Sequence, residues 1–238
     1  MIVALLFGGS ILMSFLLQFA DHPSLKLKYC FQRSKCETCH QELNLIDLIP
    51  IFSFCRLKGR CRHCQHQIPL SLLVGEVLGG LLMVYPLLMP VYIPLCTFYT
   101  MTILLLTIAI IDVQTQMIPH RYLALICILL VTLHPSFYLD VPHMLLWLTV
   151  FLLGCIQQNY IGMGDIKLFL VVIFFFPMSF LLLFLELIFP IGLLLLPISF
   201  VFKWIQQRRV PLAPAIFIAF FIVSTLYPRL ISFYGGFL

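Results

Sequence analysis

The sequence predicts an all-α fold, a polytopic membrane helix bundle, and three observations carry that expectation. The first is composition: of 238 residues 62% are hydrophobic and only 10% are charged, with a mean hydropathy of +1.10. A soluble domain of this size has no core large enough to hide so much apolar surface. The second is pattern. Stretches such as 169–177 and 181–189 are apolar all round apart from Glu186, so lipid must be their solvent. The third is length, because the apolar segments recur at a size that gives roughly seven to nine spans at about 20 residues each. The net charge of +5 is modest and needs neither nucleic acid nor an acidic substrate to explain it.

The first span covers residues 1–20. It begins Met1-Ile2-Val3-Ala4-Leu5-Leu6, without a basic leader and without a clear small-residue cleavage site, so it reads as retained. Gly8, Gly9, Ser10 and Ser14 offer small surfaces where a neighbouring helix could approach closely. Residues 21–69 are the one sizeable polar segment and hold eight of the fourteen basic residues: Lys26, Lys28, Arg33, Lys35, Arg56, Lys58, Arg60 and Arg62. Residues 70–238 form the multi-span remainder. Spans are expected near 70–89, 92–111, 119–135 and 141–158, two more share 166–203, and the last lies near 211–232. Pro177, Pro190 and Pro197 leave the break within 166–203 open, since proline is tolerated inside membrane helices. No internal repeat is visible.

The basic residues orient the bundle, because short cytoplasmic loops carry the Lys and Arg excess. With eight spans and segment 21–69 inside, Arg121, Lys167, Lys203, Arg208 and Arg209 fall on the same side and only Arg229 on the other, so thirteen of the fourteen basic residues agree. Both chain ends then lie outside.

Within the polar segment, Cys36-Glu37-Thr38-Cys39 and Cys61-Arg62-His63-Cys64 are two CxxC pairs separated by 21 residues. That spacing suits a tetrahedral four-thiolate zinc site. Disulfides are the rival, but cytoplasmic thiols stay reduced. The fold class expected is therefore a bundle of about eight spans with a small cytoplasmic zinc-binding loop. Nearby basic residues would offset the charge of a zinc tetrathiolate or sit against anionic lipid. Cys30, Cys55, His40, His63 and His66 read as bystanders, and Cys96, Cys127 and Cys155 as apolar packing residues within spans.

Two acids interrupt the apolar segments at matching depth. Asp112 ends the run 104–111, and Asp165 sits in Gly162-Met163-Gly164-Asp165-Ile166-Lys167 at the junction of two spans. Both fall at the cytoplasmic face in the eight-span arrangement. A charge in hydrocarbon is costly and marks a pathway, a relay or a reacting centre. As a pair they divide the work of amide hydrolysis: neighbouring carboxylates cannot both ionise cheaply, so one takes a proton from water while the other polarises the scissile carbonyl. No Ser, His and Asp set has convincing context. Two rival readings stand beside this. In one, each aspartate is an interface residue satisfied by water, Lys167 or Arg121. In the other the chain is a proton-coupled transporter or channel component, its aspartates relaying protons with Glu76 or Glu186 and its zinc loop binding a partner.

Taken together the chain resembles the prepilin leader peptidase family, in particular the type that processes competence pseudopilins in Gram-positive bacteria. The residues that carry the resemblance run in family order: Cys36-x-x-Cys39, Leu45-Ile46-Asp47-Leu48-Ile49-Pro50 with Ser53, Gly59-Arg60-Cys61-Arg62-His63-Cys64, Glu76, Ile111-Asp112 with Ile118-Pro119, and the 162–167 run. The GxGD signature is shared with presenilin-like proteases, but the cysteine loop and the motif order favour the prepilin family. The resemblance implies that Asp112 and Asp165 are the catalytic pair. It implies prepilin or pseudopilin substrates, each a basic leader followed by a hydrophobic helix, cut after a glycine at the cytoplasmic face of the bacterial membrane. It also implies, for many members, methylation of the new amino terminus with S-adenosylmethionine. No glycine-rich nucleotide fingerprint supports that second activity independently. Two positions depart from the family: Ile11-Leu12-Met13 follows Gly9-Ser10 where Phe-Leu-Asn is common, in the region tied to methylation, and His120 replaces an Asn after Ile118-Pro119.

Overall fold

The computed structural model describes residues 1–21, 34–36, 38–133, 137–156, 162–202, 204 and 210–233. Lys26, Lys28, Cys30, Arg33, Glu37, Lys203, Arg208 and Arg209 lie outside them. The chain divides into two compact units, Met1–Leu88 and Met89–Leu238.

In the first unit, α1 (Ile2–Asp21) and α3 (Leu70–Leu88) pack lengthwise, and the short α2 (Phe52–Arg56) lies in the polar segment between them. The small residues decide how closely the two long helices meet. A Cβ on Gly80 would stand 2.9 Å from the Leu6 carbonyl and from Ser10 Oγ, and one on Gly9 would strike the Gly79 backbone and Met83. Ser10 Oγ donates across the seam to the Glu76 carbonyl at 2.8 Å. Close backbone approach with a hydroxyl bridging it is how membrane helices gain van der Waals contact when lipid removes the hydrophobic drive. Of the four small residues expected to serve this purpose, Gly8 faces open space.

The second unit holds α4 (Leu95–Thr115), α5 (His120–Leu133), α6 (Val141–Ile156), α7 (Met163–Val172), α8 (Met178–Val201) and α9 (Ala213–Phe233). Its hub is α4, 78% buried within its most apolar window against 28% for α8 and 33% for α9. Thr102 and Thr107 in its interior satisfy their hydroxyls on the carbonyls of Phe98 and Ile103, so they cost the apolar core little. Phe176, Phe180 and Phe184 close on Phe220 at centroid distances of 5.6, 5.7 and 6.0 Å, locking α8 to α9.

All the segments expected to span contain helix, and among the described residues five helices are long and apolar enough to cross a membrane: α1, α3, α4, α8 and α9. The apolar α5 and α6 have 14 and 16 residues, and α7 has 10 before a 3-10 turn at Ile173–Phe175. The break left open in 166–203 falls at Phe176, which is extended as a residue before proline prefers, with Pro177 capping α8. Pro190 and Pro197 sit inside α8. The carbonyls released at the break are recaptured, since the Tyr138 N–H donates to Phe174 O at 2.9 Å and His143 Nε2 donates to Phe176 O at 3.1 Å. Cys96 and Cys155 are exposed on their helices and not packed inside, because they lie on faces that no described helix covers.

Candidate active site

In the first unit the four cysteines of the two CxxC pairs converge, their sulfurs all within 4.8 Å of one another. Short-range backbone geometry places them. Each pair sits in the same turn: Cys36 N–H bonds the Gln41 carbonyl and His40 N–H bonds Cys36 O, while Cys61 N–H bonds His66 O and Gln65 N–H bonds Cys61 O. His40 and Gln65, each following the second cysteine, hold positive φ of 55° and 58°. The two knuckles are thus a local structural repeat that differing side chains conceal in the sequence. Cys36 Sγ and Cys64 Sγ are 3.8 Å apart, the edge of about 3.8 Å that a tetrahedron of sulfurs at about 2.3 Å from zinc requires. The backbone N–H groups of Cys39 and then Thr38 pull the Cys36 thiol down to about 6. At Cys64 the His66 N–H works in the same direction, but desolvation and the three neighbouring thiols outweigh it and push the thiol up to about 11. The donor set fits zinc, and all eight described cysteines are free thiols.

Polar contacts fasten this cluster to its helices. Arg62, inside the second pair, bonds Asp47 Oδ1 at 2.7 Å. Glu76, 4% exposed on α3, accepts the Ile51 N–H at 2.7 Å and a hydrogen bond from Ser14. Ile51 has φ 62°, a strained conformation for a β-branched residue that its surroundings must impose. The role of Glu76 as an anchor for the loop was not legible in the sequence, where it stood as a relay candidate and as one of the residues that carry the family resemblance.

In the second unit, Asp112 and Asp165 are 6% and 7% exposed and near enough for the charge of Asp112 to act on Asp165. Asp112 lies one turn from the end of α4, which stops where Gln116 turns left-handed at φ 51°. The carboxyl-terminal end of a helix repels an anion, so this carboxylate needs donors from elsewhere. Asp112 Oδ2 accepts the Ala213 N–H at 3.1 Å, and the Leu212 N–H also bonds the carboxylate. Both donors belong to the start of α9, where unsatisfied N–H groups favour an anion.

Asp165 occupies the first turn of α7. A Cβ on Gly162 would lie 2.7 Å from Asp165 Oδ2, so only glycine lets the carboxylate fold back over its own helix start. One on Gly164 would lie 2.8 Å from Ile118 Cβ, so the second glycine lets α7 press against the link between α4 and α5. Asp165 Oδ1 is buried and has no hydrogen-bond partner among the described residues. Gln116 Nε2 donates to the Trp204 carbonyl just beyond α8. The end of α4, the starts of α7 and α9 and the chain beyond α8 therefore meet at one end of the unit, with both aspartates among them. Glu186 is exposed on α8.

Two family descriptions match. Residues 7–89 correspond to the bacterial peptidase A24 N-terminal domain and residues 99–227, more than half of the chain, to the type IV leader peptidase family. The chain belongs to the type IV leader peptidase family. The matched regions follow the two compact units. A relative from Bacillus subtilis, called a prepilin leader peptidase/N-methyltransferase, is 30% identical over 181 residues, 72% of each chain. One of the same name from Klebsiella pneumoniae is 36% identical over 94 residues, 39% of this chain and 41% of the relative, and one from Burkholderia pseudomallei is 30% identical over 163 residues, 61% and 52%. No solved structure matches the chain significantly.

Proposed function

We propose that this type IV leader peptidase is an aspartic endopeptidase that cuts the leader from prepilins or competence pseudopilins at the cytoplasmic face of the bacterial membrane. The observation that carries the reading is the meeting of two buried aspartates at one end of a membrane-embedded helix bundle, one carboxylate gripped by backbone donors and the other with a free oxygen. Two carboxylates so placed share one proton, and the pair titrates as a unit. Asp112, stabilised as the anion by the start of α9, takes a proton from water as the water oxygen attacks the scissile carbonyl carbon. Asp165 donates to the carbonyl oxygen through its free Oδ1. The tetrahedral diol then collapses: the carbon–nitrogen bond breaks, the proton held by Asp112 passes to the leaving amine, and a diol hydroxyl returns a proton to Asp165.

Cys36, Cys39, Cys61 and Cys64 hold a structural zinc, which organises segment 34–69 as a unit and takes no part in the hydrolysis. The names of the relatives support methylation of the new amino terminus with S-adenosylmethionine as a second activity. Co-expression in bacterial membranes with a prepilin-like substrate tests the peptidase. The wild type yields a shortened product whose new amino terminus, and any added methyl group, mass spectrometry locates, while Asp165→Asn leaves the substrate whole. A substrate left uncut by the wild type across several candidates would remove the reading.

A further inference from the structure

Segment 45–56, a 3-10 turn at Leu45–Leu48 followed by α2, carries its side chains inside out. Its one acid, Asp47, is turned inward to Arg62 with a side chain 3% exposed, while Ile46, Leu48, Ile49, Ile51 and Phe52 all stand exposed, Ile46 by 48% and Phe52 by 53%. A water-facing surface scatters its large apolar side chains singly, and five within seven residues form a patch. Against lipid, apolar outward and polar inward is the expected arrangement. Two hydrogen bonds fix the depth of the patch. Glu76, which accepts the Ile51 N–H, lies six residues into α3, and Ser14, which donates to Glu76, lies seven residues before the end of α1 at Asp21. The 19 residues of α3 measure about 28 Å, little less than the roughly 30 Å of a hydrocarbon core, so a spanning α3 begins at the boundary and its second turn is already within the bilayer. A glutamate side chain leans back toward the start of its helix, which puts Ile51 beside the first two turns of α3. The patch around Ile51 therefore meets the membrane where headgroups give way to acyl chains.

Charge complements the apolar patch. Arg56, Lys58 and Arg60 follow it, all exposed, and no acidic residue occurs between Phe52 and Glu76. The patch thus has a basic rim, which suits anionic headgroups. We propose that segment 46–52 is a membrane wedge, lying in the bilayer interface with its apolar side chains among the acyl chains and Arg56, Lys58 and Arg60 on anionic lipid headgroups. Its partner is the bilayer surface. Docked in this way, the wedge fixes the height of the thiol cluster above the membrane, because Arg62, within the second cysteine pair, holds Asp47 of the wedge. The loop is then held to the membrane at three kinds of contact: its own apolar side chains, its basic rim, and the bond from Ile51 to a helix that crosses.

The experiment uses the full chain in vesicles of mixed zwitterionic and anionic lipid. An environment-sensitive fluorescent amino acid is placed in turn at Phe52, at Ile46, at Val74 on the exposed face of α3, and at Gln41, exposed beside the first cysteine pair. Nitroxide-labelled lipid reports contact with the bilayer, and iodide reports contact with water. At Phe52 and Ile46 the lipid label should quench within about twofold of its effect at Val74, and iodide should quench about fivefold less than at Gln41. Replacing Arg56, Lys58 and Arg60 together by Gln should lower lipid quenching at Phe52 by about twofold in these vesicles. Iodide quenching at Phe52 and Ile46 equal to that at Gln41 puts the segment in water and overturns the proposal. Quenching by neither agent means that another part of this chain or a second copy covers the patch, and overturns it as well. Lipid quenching unchanged in the triple variant overturns the part given to the basic rim. The outcome does not depend on the peptidase reading, since no substrate is present.

Discussion

The two sites of this molecule are assembled in opposite ways. The thiol cluster is made by two short turns, each fixing its pair of cysteines within four residues through backbone bonds, so that only the 21-residue link between the pairs must close. The aspartates are brought together by helix ends far apart in sequence, and the donor that grips Asp112 lies 101 residues away. A site built from local turns is written in spacing. One built from helix ends depends on the packing of the whole unit, and only part of it shows in the sequence.

Removing the local site should have the largest energetic effect. Cys39→Ser with Cys64→Ser should take zinc content from about one per chain to none, since structural zinc contributes on the order of 10–16 kcal/mol to such domains, and protease protection of segment 34–69 should go with it. Zinc measured by atomic absorption should also fall on acidification, because protons compete with the metal for the four thiolates.

Breaking the long-range site at its most distant member sharpens the contrast. Ala213→Pro deletes one donor to Asp112 at a helix start, where proline is tolerated, and should cost roughly 10- to 100-fold in cleavage rate with little change in thermal stability. Smaller again is the anchor that ties the cysteine loop to its helices. Glu76→Leu strands the Ile51 N–H, at about 1–3 kcal/mol, read as faster hydrogen exchange across residues 45–57. Arg62→Ala should cost a similar amount, about 1–3 kcal/mol, because the Asp47 side chain that it pairs is 3% exposed and is left without that partner.

How far each site could be foreseen follows from the same difference. Cys36, Cys39, Cys61 and Cys64 were recognisable from spacing, and the helical segments from runs of apolar residues. Gly162 and Gly164 beside Asp165 signalled a backbone that needed room, and the structure puts Asp165 itself and Ile118 in that room. The grip of Ala213 and Leu212 on Asp112 had no signal, because backbone N–H groups look alike in every residue except proline. The anchoring of Ile51 by Glu76 was hidden for the same reason. The expectation of eight spans rested on apolar length. Among the described residues α5, α6 and α7 run for 14, 16 and 10 residues, with Pro119 just before α5, Pro142 in the first turn of α6 and Pro177 beyond the 3-10 turn that follows α7, and five helices have the length to cross.

The most direct test of the account is cleavage and zinc content measured together on purified full-length chain, comparing wild type with Asp112→Asn and Asp165→Asn on a prepilin-like protein. The account predicts that either substitution lowers the rate by about a thousandfold or more while zinc stays at about one per chain, because the aspartates proposed to react and the thiol cluster belong to different units. Cleavage by either variant at a rate near that of wild type would contradict it.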